Sequence, residues 1–272
     1  MIRLTTMVEN TATRGMLRAE HGFSVLVETD NGSFLFDTGQ TDALIHNARV
    51  LNKDISLIEK VVLSHGHYDH CGGLSYLSEL AKPVVYAHPE IFRERYHQSR
   101  SGRRYIGIEK RSFYEDRGIQ FVLNDKPTEI INGAYTTGVE EMRTDFENID
   151  KNFVYKDHNE YKKDDVIDDM SLVLETGKGL FVVFGCAHRG IINIIRQVEE
   201  QFRKKVFGFI GGTHLGPADD IQKIRTIEEL RKSDISIIGP SHCTGLLMTA
   251  RLYCEFKNRV VFNNVGTVIE LD

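Results

Sequence analysis

Long apolar runs are missing from this chain of 272 residues. The longest candidates, such as residues 180–184, are far shorter than the roughly 20 residues that cross a bilayer, so the sequence predicts no membrane association. The first residues also lack the apolar segment of a secretory signal peptide. We therefore expect a cytoplasmic location.

Cysteine is scarce, with four residues in the chain. Cys71, Cys186 and Cys243 each lie within two residues of a histidine, whereas Cys254 does not and is expected in the core. This spacing favours metal binding or thiol chemistry over a disulfide framework. Free thiols of this kind are compatible with a reducing cytoplasm.

An excess of positive charge is missing as well. Lys and Arg number 34 against 39 Asp and Glu, which gives a net charge of −5. This balance argues against nucleic acid binding by the chain as a whole. The hydrophobic content of 41% and the charged content of 27% are typical of a soluble globular protein. We predict a single domain over residues 1–272, a length that α/β folds often reach.

Histidine and aspartate are concentrated at one point. Directly after the apolar residues 61–63, three imidazoles and one carboxylate occur within six residues, at His65, His67, Asp69 and His70. Imidazole and carboxylate together suit divalent transition metals. The sequence therefore predicts a metal site at the turn that follows this strand, with a solvated histidine-rich loop as the alternative.

The chain also contains an internal repeat. Residues 24–36 match residues 171–183, and both segments are predicted to form β-hairpins with a glycine-containing turn. A helix, a strand, a second helix and a further strand follow in each half, the first helices falling near residues 42–51 and 191–202. Two such halves predict an α/β fold, a four-layer αββα sandwich with its helices outside.

Histidines follow the ends of the predicted strands. Because sheets of this kind place their sites beyond the carboxyl ends of strands, we expect these residues to converge on one edge of the sandwich. They are His65, His67, His70, His188, His214 and His242.

Residues 90–167 interrupt the repeat. Arginine is dense over residues 93–117, and residues 140–169 are acidic and irregular. We interpret the stretch as an insertion that forms a cap or lid, because it lacks a sustained apolar period. Its arginines either cover a solvated surface or hold a phosphate or carboxylate of the substrate.

The metal motif, taken with Phe36-Asp37-Thr38-Gly39, resembles the signature of the metallo-β-lactamase superfamily, and the order of elements agrees over nearly the whole chain. A narrower resemblance is to the branch of dihydropterin-(ribofuranosyl)aminobenzene 5′-phosphate synthase-like proteins. It is carried by residues 8–10, 19–22, 64–70, 185–188 and 241–245.

The superfamily resemblance implies two adjacent metal ions. His65 and His67 would bind the first ion, and Asp69, His70 and His242 the second. Asp37 is expected to orient a ligand histidine or to accept backbone hydrogen bonds.

Two positions depart from the family pattern. His158 is the sole histidine between residues 137 and 169, where a third-motif ligand is usual, and it lies in an irregular acidic stretch. The usual bridging aspartate is replaced by Cys186, with His188 close behind. We therefore hypothesise a rearranged site in which His214 and Cys186 or His188 supply the missing ligands.

A thiolate ligand favours zinc or iron over manganese or magnesium. Two divalent ions are predicted, with zinc favoured and iron or manganese as alternatives. Other roles stay open for two of the proposed ligands. Cys186 is otherwise a small buried residue, and His214 is otherwise a partner that hydrogen-bonds a ligand.

The first functional hypothesis is a metal-dependent hydrolase that directs a metal-bound hydroxide at an anionic small molecule, with a phosphate-bearing substrate favoured. Asp69 would take up the proton. A second hypothesis is a pterin-related transferase in which aromatic side chains stack a flat heterocycle. Iron redox chemistry and a non-catalytic metal-binding module are further alternatives. The aromatic candidates for stacking are Tyr96, Tyr105, Phe113 and Tyr114.

Overall fold

The computed structural model describes residues 1–272. The strands are β1 (Ile2–Val8), β2 (Ser24–Thr29), β3 (Gly32–Phe36), β4 (Lys60–Val62), β5 (Val84–Ala87), β6 (Arg95–Ser99), β7 (Gly102–Tyr105), β8 (Gln120–Leu123), β9 (Glu129–Ile131), β10 (Ala134–Thr136), β11 (Phe153–Asp157), β12 (Glu160–Lys163), β13 (Leu172–Thr176), β14 (Gly179–Phe184), β15 (Val206–Gly212), β16 (Ile237–Ser241) and β17 (Val268–Leu271).

The α-helices are α1 (Ala43–Val50), α2 (Tyr68–Cys71), α3 (Gly73–Leu77), α4 (Arg111–Glu115), α5 (Ile191–Phe202), α6 (Asp220–Lys232) and α7 (Leu246–Phe256). Short 3₁₀ turns lie at Ile55–Leu57, Pro89–Phe92, His242–Thr244 and Lys257–Arg259. None of these helices combines the length and apolar character that crossing a membrane requires.

Two large sheets form the centre of the molecule. The first has the strand order β17-β1-β2-β3-β4-β5-β8, and the second has the order β16-β15-β14-β13-β10-β9. In each sheet an antiparallel hairpin leads into parallel strands, β3-β4-β5 in the first and β14-β15-β16 in the second. The carboxyl ends of these parallel strands are where the loops that carry the histidines begin.

Three apolar layers show that the sheets and helices stack in four layers. Strand residues alternate in direction, so Val25 and Val27 pack between the two sheets, whereas Leu26 faces the helices of the first half. In the second half Val173 likewise joins the layer between its sheet and helices α5, α6 and α7. The predicted αββα sandwich is confirmed.

The predicted repeat is visible at the level of single hydrogen bonds. In both hairpins a threonine hydroxyl, of Thr29 or Thr176, donates to the carbonyl of the glycine three residues later, at 3.1 Å in each case. Those glycines, Gly32 and Gly179, have positive φ angles of 124° and 130°, a conformation that disfavours any side chain. The repeat also extends further than predicted, because β1 adds to β2 as β10 adds to β13.

Residues 90–167 divide between the sandwich and a smaller sheet. Strand β8 extends the first large sheet, and β9 and β10 extend the second, while β6, β7, β11 and β12 form a separate sheet of four strands. The middle of the stretch is therefore part of the sandwich and not of a cap. Strands of three or four residues are too short to show an apolar period, which is why the sequence pattern did not place them.

A buried arginine fastens the smaller sheet to the metal motif. The guanidinium of Arg95, at the start of β6, donates to Asp164 at 2.8 Å and to Asp168 at 2.7 Å. Asp168 in turn accepts a hydrogen bond from the backbone N–H of Gly66 at 2.8 Å. A Cβ atom at Gly66 would lie 2.0 Å from the carbonyl oxygen of Ile91, so the motif requires glycine between its first two histidines.

Candidate metal centre

One edge of the sandwich collects the side chains predicted from the sequence. His65 follows β4, Cys186 and His188 follow β14, and His214 and His242 follow β15 and β16. Since all of these strands run in the parallel parts of the two sheets, their carboxyl ends meet at the same edge. The eight predicted ligands, His65, His67, Asp69, His70, Cys186, His188, His214 and His242, all occur in groups whose donor atoms lie within 4.8 Å of one another.

The first group consists of His65, His67 and His188. Nε2 of His65 lies 3.0 Å from Nδ1 of His67 and 3.1 Å from Nε2 of His188. These separations are close to the edge of about 3.3 Å that zinc–nitrogen bonds of about 2.0–2.1 Å give in a tetrahedron. The remaining ring nitrogens of His67 and His188 are buried and have no hydrogen-bond partner.

The electrostatics of this group suit metal binding. Burial lowers the pKa of His65, His67 and His188 well below the usual value for histidine. The rings are therefore neutral near pH 7 and their lone pairs are available. Three neutral imidazoles whose ring nitrogens converge in this way are better suited to binding a divalent cation than to binding one another.

The second group lies around Asp69. Its Oδ2 atom is 3.1 Å from Nε2 of His21 and 3.2 Å from Nε2 of His242, and Nε2 of His70 is 3.2 Å from that of His242. Burial acts against the ionised carboxylate, but hydrogen bonds with His21 and His242 hold the pKa of Asp69 well below its usual range. The group offers a charged oxygen and imidazole nitrogens to a cation.

Cys186 lies between the two groups. Its Sγ atom is 3.2 Å from Nε2 of His70, and it forms a candidate ligand set with His65 and His70. His188 belongs to the first group, whereas the ring of His214 lies 4.4 Å from that of His188 and is grouped instead with Cys186 and Cys243. The geometry thus places the Cys186 thiol beside His70 and the His188 ring beside His65.

Asp37 supports the site from beneath, as the sequence suggested. Its Oδ2 atom lies 2.6 Å from Nδ1 of His70, and it accepts hydrogen bonds from the backbone N–H and the hydroxyl of Ser64 at 2.7 and 2.8 Å. Burial disfavours the imidazolium, but the neighbouring Asp37 carboxylate outweighs this and raises the pKa of His70 to about 9. The pair fixes which nitrogen of His70 faces the edge, and that nitrogen would release its proton when a metal ion binds.

Two residues directly after β1 hold His242 in place. Glu9 accepts a hydrogen bond from the backbone N–H of His242 at 2.7 Å, and Oδ1 of Asn10 lies 2.9 Å from its Nδ1. The contact connects the segment at residues 8–10 to the metal centre. It also leaves Nε2 of His242 directed at His70 and Asp69.

Replacing Asp37 with asparagine is expected to weaken metal binding by about 10–100-fold, because the ring of His70 loses its charged hydrogen-bond partner. Competition with a chromogenic chelator measures the affinity. Asp42→Asn is the matched control, since Asp42 is half exposed and pairs only with Arg18 at 3.4 Å. Equal affinities for the two variants would contradict this role of Asp37.

A cavity of about 270 Å³ opens above the two groups. Phe153 of β11 forms one wall, with its ring centroid 5.2 Å from that of His67 and 5.1 Å from that of His188. Arg104 of β7 lies at the rim and donates a hydrogen bond to the Tyr68 hydroxyl at 3.0 Å. The smaller sheet therefore supplies one side of the site.

Other histidines lie elsewhere. The side chain of His158 is 98% exposed in the turn between β11 and β12, so it does not supply a third-motif ligand. His88 caps a 3₁₀ turn by accepting the N–H of Glu90 at 3.1 Å. His97 lies in β6 and lines the cavity. The prediction that Cys254 is in the core is wrong, since Cys254 is exposed on α7.

Sequence reasoning missed several contributors to the site. Arg95, Phe153 and Asp169 carry no motif, and His21 lies outside the histidine motif although it contacts Asp69 at 3.1 Å. One signal was present in the repeat. Its alignment of Ser171 with Ser24 places Asp168 and Asp169 before β13 at the position that His21 and the next residue hold before β2. Burial, with the neighbouring Asp168 adding to it, raises the pKa of Asp169 to about 7.

The aromatic residues proposed for stacking are not at the site. Tyr114 is buried in the apolar layer between the first sheet and its helices, and Phe113 packs against that layer. Tyr96 and Tyr105 pack against each other, with centroids 5.3 Å apart, on the smaller sheet. The aromatic side chains that do line the cavity are Tyr68 and Phe153.

Comparison with known proteins bears on the family of the chain. Residues 17–143 match the model of the metallo-beta-lactamase superfamily. An uncharacterized protein of Methanocaldococcus jannaschii is 34% identical over 97% of this chain and 98% of its own length. The 7,8-dihydropterin-6-methyl-4-(beta-D-ribofuranosyl)-aminobenzene-5'-phosphate synthase of the same organism is 30% identical over 93% of this chain and 90% of its own.

A solved structure is similar over its full length. The crystal structure of Tm1679, described as a metal-dependent hydrolase of the beta-lactamase superfamily, superposes with a TM-score of 0.87 at 31% sequence identity, with all of both chains covered. Full-length identity of this level, the matching fold and the convergence of the motif histidines on one sheet edge lead to one conclusion. The chain belongs to the metallo-beta-lactamase superfamily.

Proposed function

We propose that this protein is a hydrolase that requires two divalent metal ions and acts on an anionic, phosphate-bearing small molecule. The observation that carries the proposal is the placement of two adjacent donor groups, one of neutral imidazoles and one around an ionised carboxylate, on the floor of one cavity. A donor set of this kind has little structural use without a cation.

His65, His67 and His188 would hold one ion, and Asp69, His70 and His242 the other, with the Cys186 thiolate between them. Imidazole and thiolate donors favour zinc, with iron or manganese as alternatives. A metal pair in such a site supplies Lewis acidity and activates water for attack near neutral pH.

Asp69 is proposed as the catalytic carboxylate. Its side chain lines the cavity and its Oδ2 atom faces the rings of His21 and His242. An ionised carboxylate in this position orients the attacking nucleophile and can accept its proton. His21, whose side chain is 53% exposed, stands at the opening between this carboxylate and solvent.

The surroundings of the cavity favour a negatively charged substrate. Arg104 lies at its rim, and its charge is directed to a tyrosine hydroxyl and not to a carboxylate. A second cavity of about 810 Å³ shares His97, His214 and Pro217 with the first, and its lysines, Lys151 and Lys163, are balanced by Asp150 and Asp219, so the preference for an anionic substrate depends on Arg104. A guanidinium group beside a metal site suits a phosphate that is held while another bond is cleaved.

The test is hydrolysis of generic phosphomonoesters and phosphodiesters by the metal-loaded protein, with the metal-depleted protein as reference. Arg104→Gln is expected to raise KM for a phosphorylated substrate by about tenfold, the effect of losing roughly 1.4 kcal/mol of binding. Arg111→Gln is the matched control, because Arg111 pairs with Glu115 on helix α4 away from the cavity. Hydrolysis that does not depend on added metal would rule the proposal out.

A second candidate is a pterin-related transferase, which the full-length similarity to the archaeal pterin-phosphate synthase favours. Tyr68 and Phe153 would then contact the flat ring, in place of the residues suggested by the sequence. Titration with a dihydropterin, followed by fluorescence, distinguishes the two candidates. Saturable binding that Phe153→Ala abolishes would favour the transferase, and the absence of saturation would favour the hydrolase.

A further inference from the structure

Three neighbouring parallel strands are each followed, two residues beyond their carboxyl ends, by a side chain that can bind a metal ion. Strands β14, β15 and β16 end at Phe184, Gly212 and Ser241. Cys186, His214 and Cys243 each follow two residues after one of these ends. Because the strands pair in close register, with Gly212 opposite Ser241 and Phe184 opposite Gly211, equal offsets bring the three side chains together.

The donor atoms of Cys186, His214 and Cys243 lie within 4.8 Å of one another. Both ring nitrogens of His214 are buried without a hydrogen-bond partner, although a buried polar nitrogen ordinarily has one. The Cys243 thiol lies 3.3 Å from the N–H of His214 and 3.6 Å from the carbonyl of Cys186, and it also interacts with the side chains of Cys186 and His214. An unsatisfied imidazole thus faces two thiols.

The backbone is shaped around this cluster. A Cβ atom on Gly212 would lie 2.6 Å from the Cys243 sulfur and 3.1 Å from Cα of Cys186, so glycine alone leaves room for the thiols. His214 itself has a positive φ of 49°, which non-glycine residues adopt mainly at functional sites that the fold constrains.

We propose that Cys186, His214 and Cys243 form a further metal site, adjacent to the pair of sites described above and sharing Cys186 with them. Two thiolates and one imidazole select a soft or borderline cation such as Zn²⁺ or Cu⁺. Each thiol releases its proton to solvent when the metal binds. All three residues line the cavity, so a fourth coordination position is directed at its contents.

This site uses residues that the paired sites of the family do not use. Cys243 and His214 have no part in the two donor groups of the proposed hydrolase. Its occupancy can therefore be measured without reference to hydrolysis, and loss of the site leaves the histidine groups in place.

The experiment is titration of the metal-free, fully reduced protein with Co²⁺ or Cd²⁺, followed by thiolate charge-transfer absorption and by native mass spectrometry. Cys243→Ser is expected to bind one equivalent fewer than the wild type and to lose about half of the charge-transfer intensity, because Cys186 then contributes only at the paired sites. Cys254→Ser, which removes an exposed thiol, is expected to match the wild type. Cys243→His should regain the equivalent without the intensity.

Two results would overturn the proposal. One is an unchanged stoichiometry and spectrum in Cys243→Ser. The other is a wild-type protein whose Cys186 and Cys243 thiols disappear together on oxidation and return with a reductant, while the reduced form takes up no additional metal. Circular dichroism of each variant shows whether the fold is intact before the titration is interpreted.

Discussion

A His67→Ala variant is expected to lose about three orders of magnitude in kcat/KM for the preferred phosphorylated substrate. His67 supplies one of three converging nitrogens in the first group, and a two-ligand remnant holds the ion poorly. A contribution of several kcal/mol from the metal, with roughly 1.4 kcal/mol per factor of ten, gives this magnitude. Elemental analysis should show about one metal ion fewer per chain.

His158→Ala is the matched control for this experiment, because the side chain of His158 is exposed in a hairpin turn away from the cavity. It should retain both metal content and activity. If His67→Ala kept its activity after dialysis against a chelator, the proposed hydrolase would have to be abandoned. If the activity fell but the metal content did not, His67 would act on the substrate and not as a ligand.

Arg95→Met is expected to lower the free energy of unfolding by about 3–5 kcal/mol, the usual effect of removing one partner from a buried ion pair. Arg95, Asp164 and Asp168 are all essentially inaccessible to solvent, so the variant leaves two carboxylates without a countercharge. Urea denaturation measures the change. Arg111→Met removes an exposed helical pair with Glu115 and should cost less than about 1 kcal/mol.

The destabilisation by Arg95→Met should depend on pH in a defined direction. Burial raises the pKa of Asp168 even in the presence of Arg95, and removal of the guanidinium raises it further. When the pKa of a carboxyl group is higher in the folded state than in the unfolded state, the protein becomes less stable as the pH rises above the unfolded pKa. The unfolded chain then releases the proton freely, whereas the folded state must either hold the proton or bury a charge. The variant should therefore be closer to the wild type near pH 4 than near pH 7, and the opposite trend would count against this account.

The local sequence pattern was sufficient to predict the main hairpins and helices and the centre of the site. The two hairpins are encoded by alternating apolar residues and by glycines at turn positions, and the amphipathic helices α5 and α6 by their periodicity. The motif from His65 to His70 places four donors within six residues, so its chemistry could be read without a fold. The repeat then predicted that later histidines would return to the same edge.

Tertiary structure decided what lies far apart along the chain. Strands β8, β9 and β10 are too short to carry a pattern, and their membership in the large sheets depends on partners elsewhere. Strand register and side-chain direction place Cys186 and His188 beside the motif histidines. They also place Arg95 behind these histidines and Phe153 above them. Short-range sequence preferences do not encode such contacts, because they arise only when separate elements pack together.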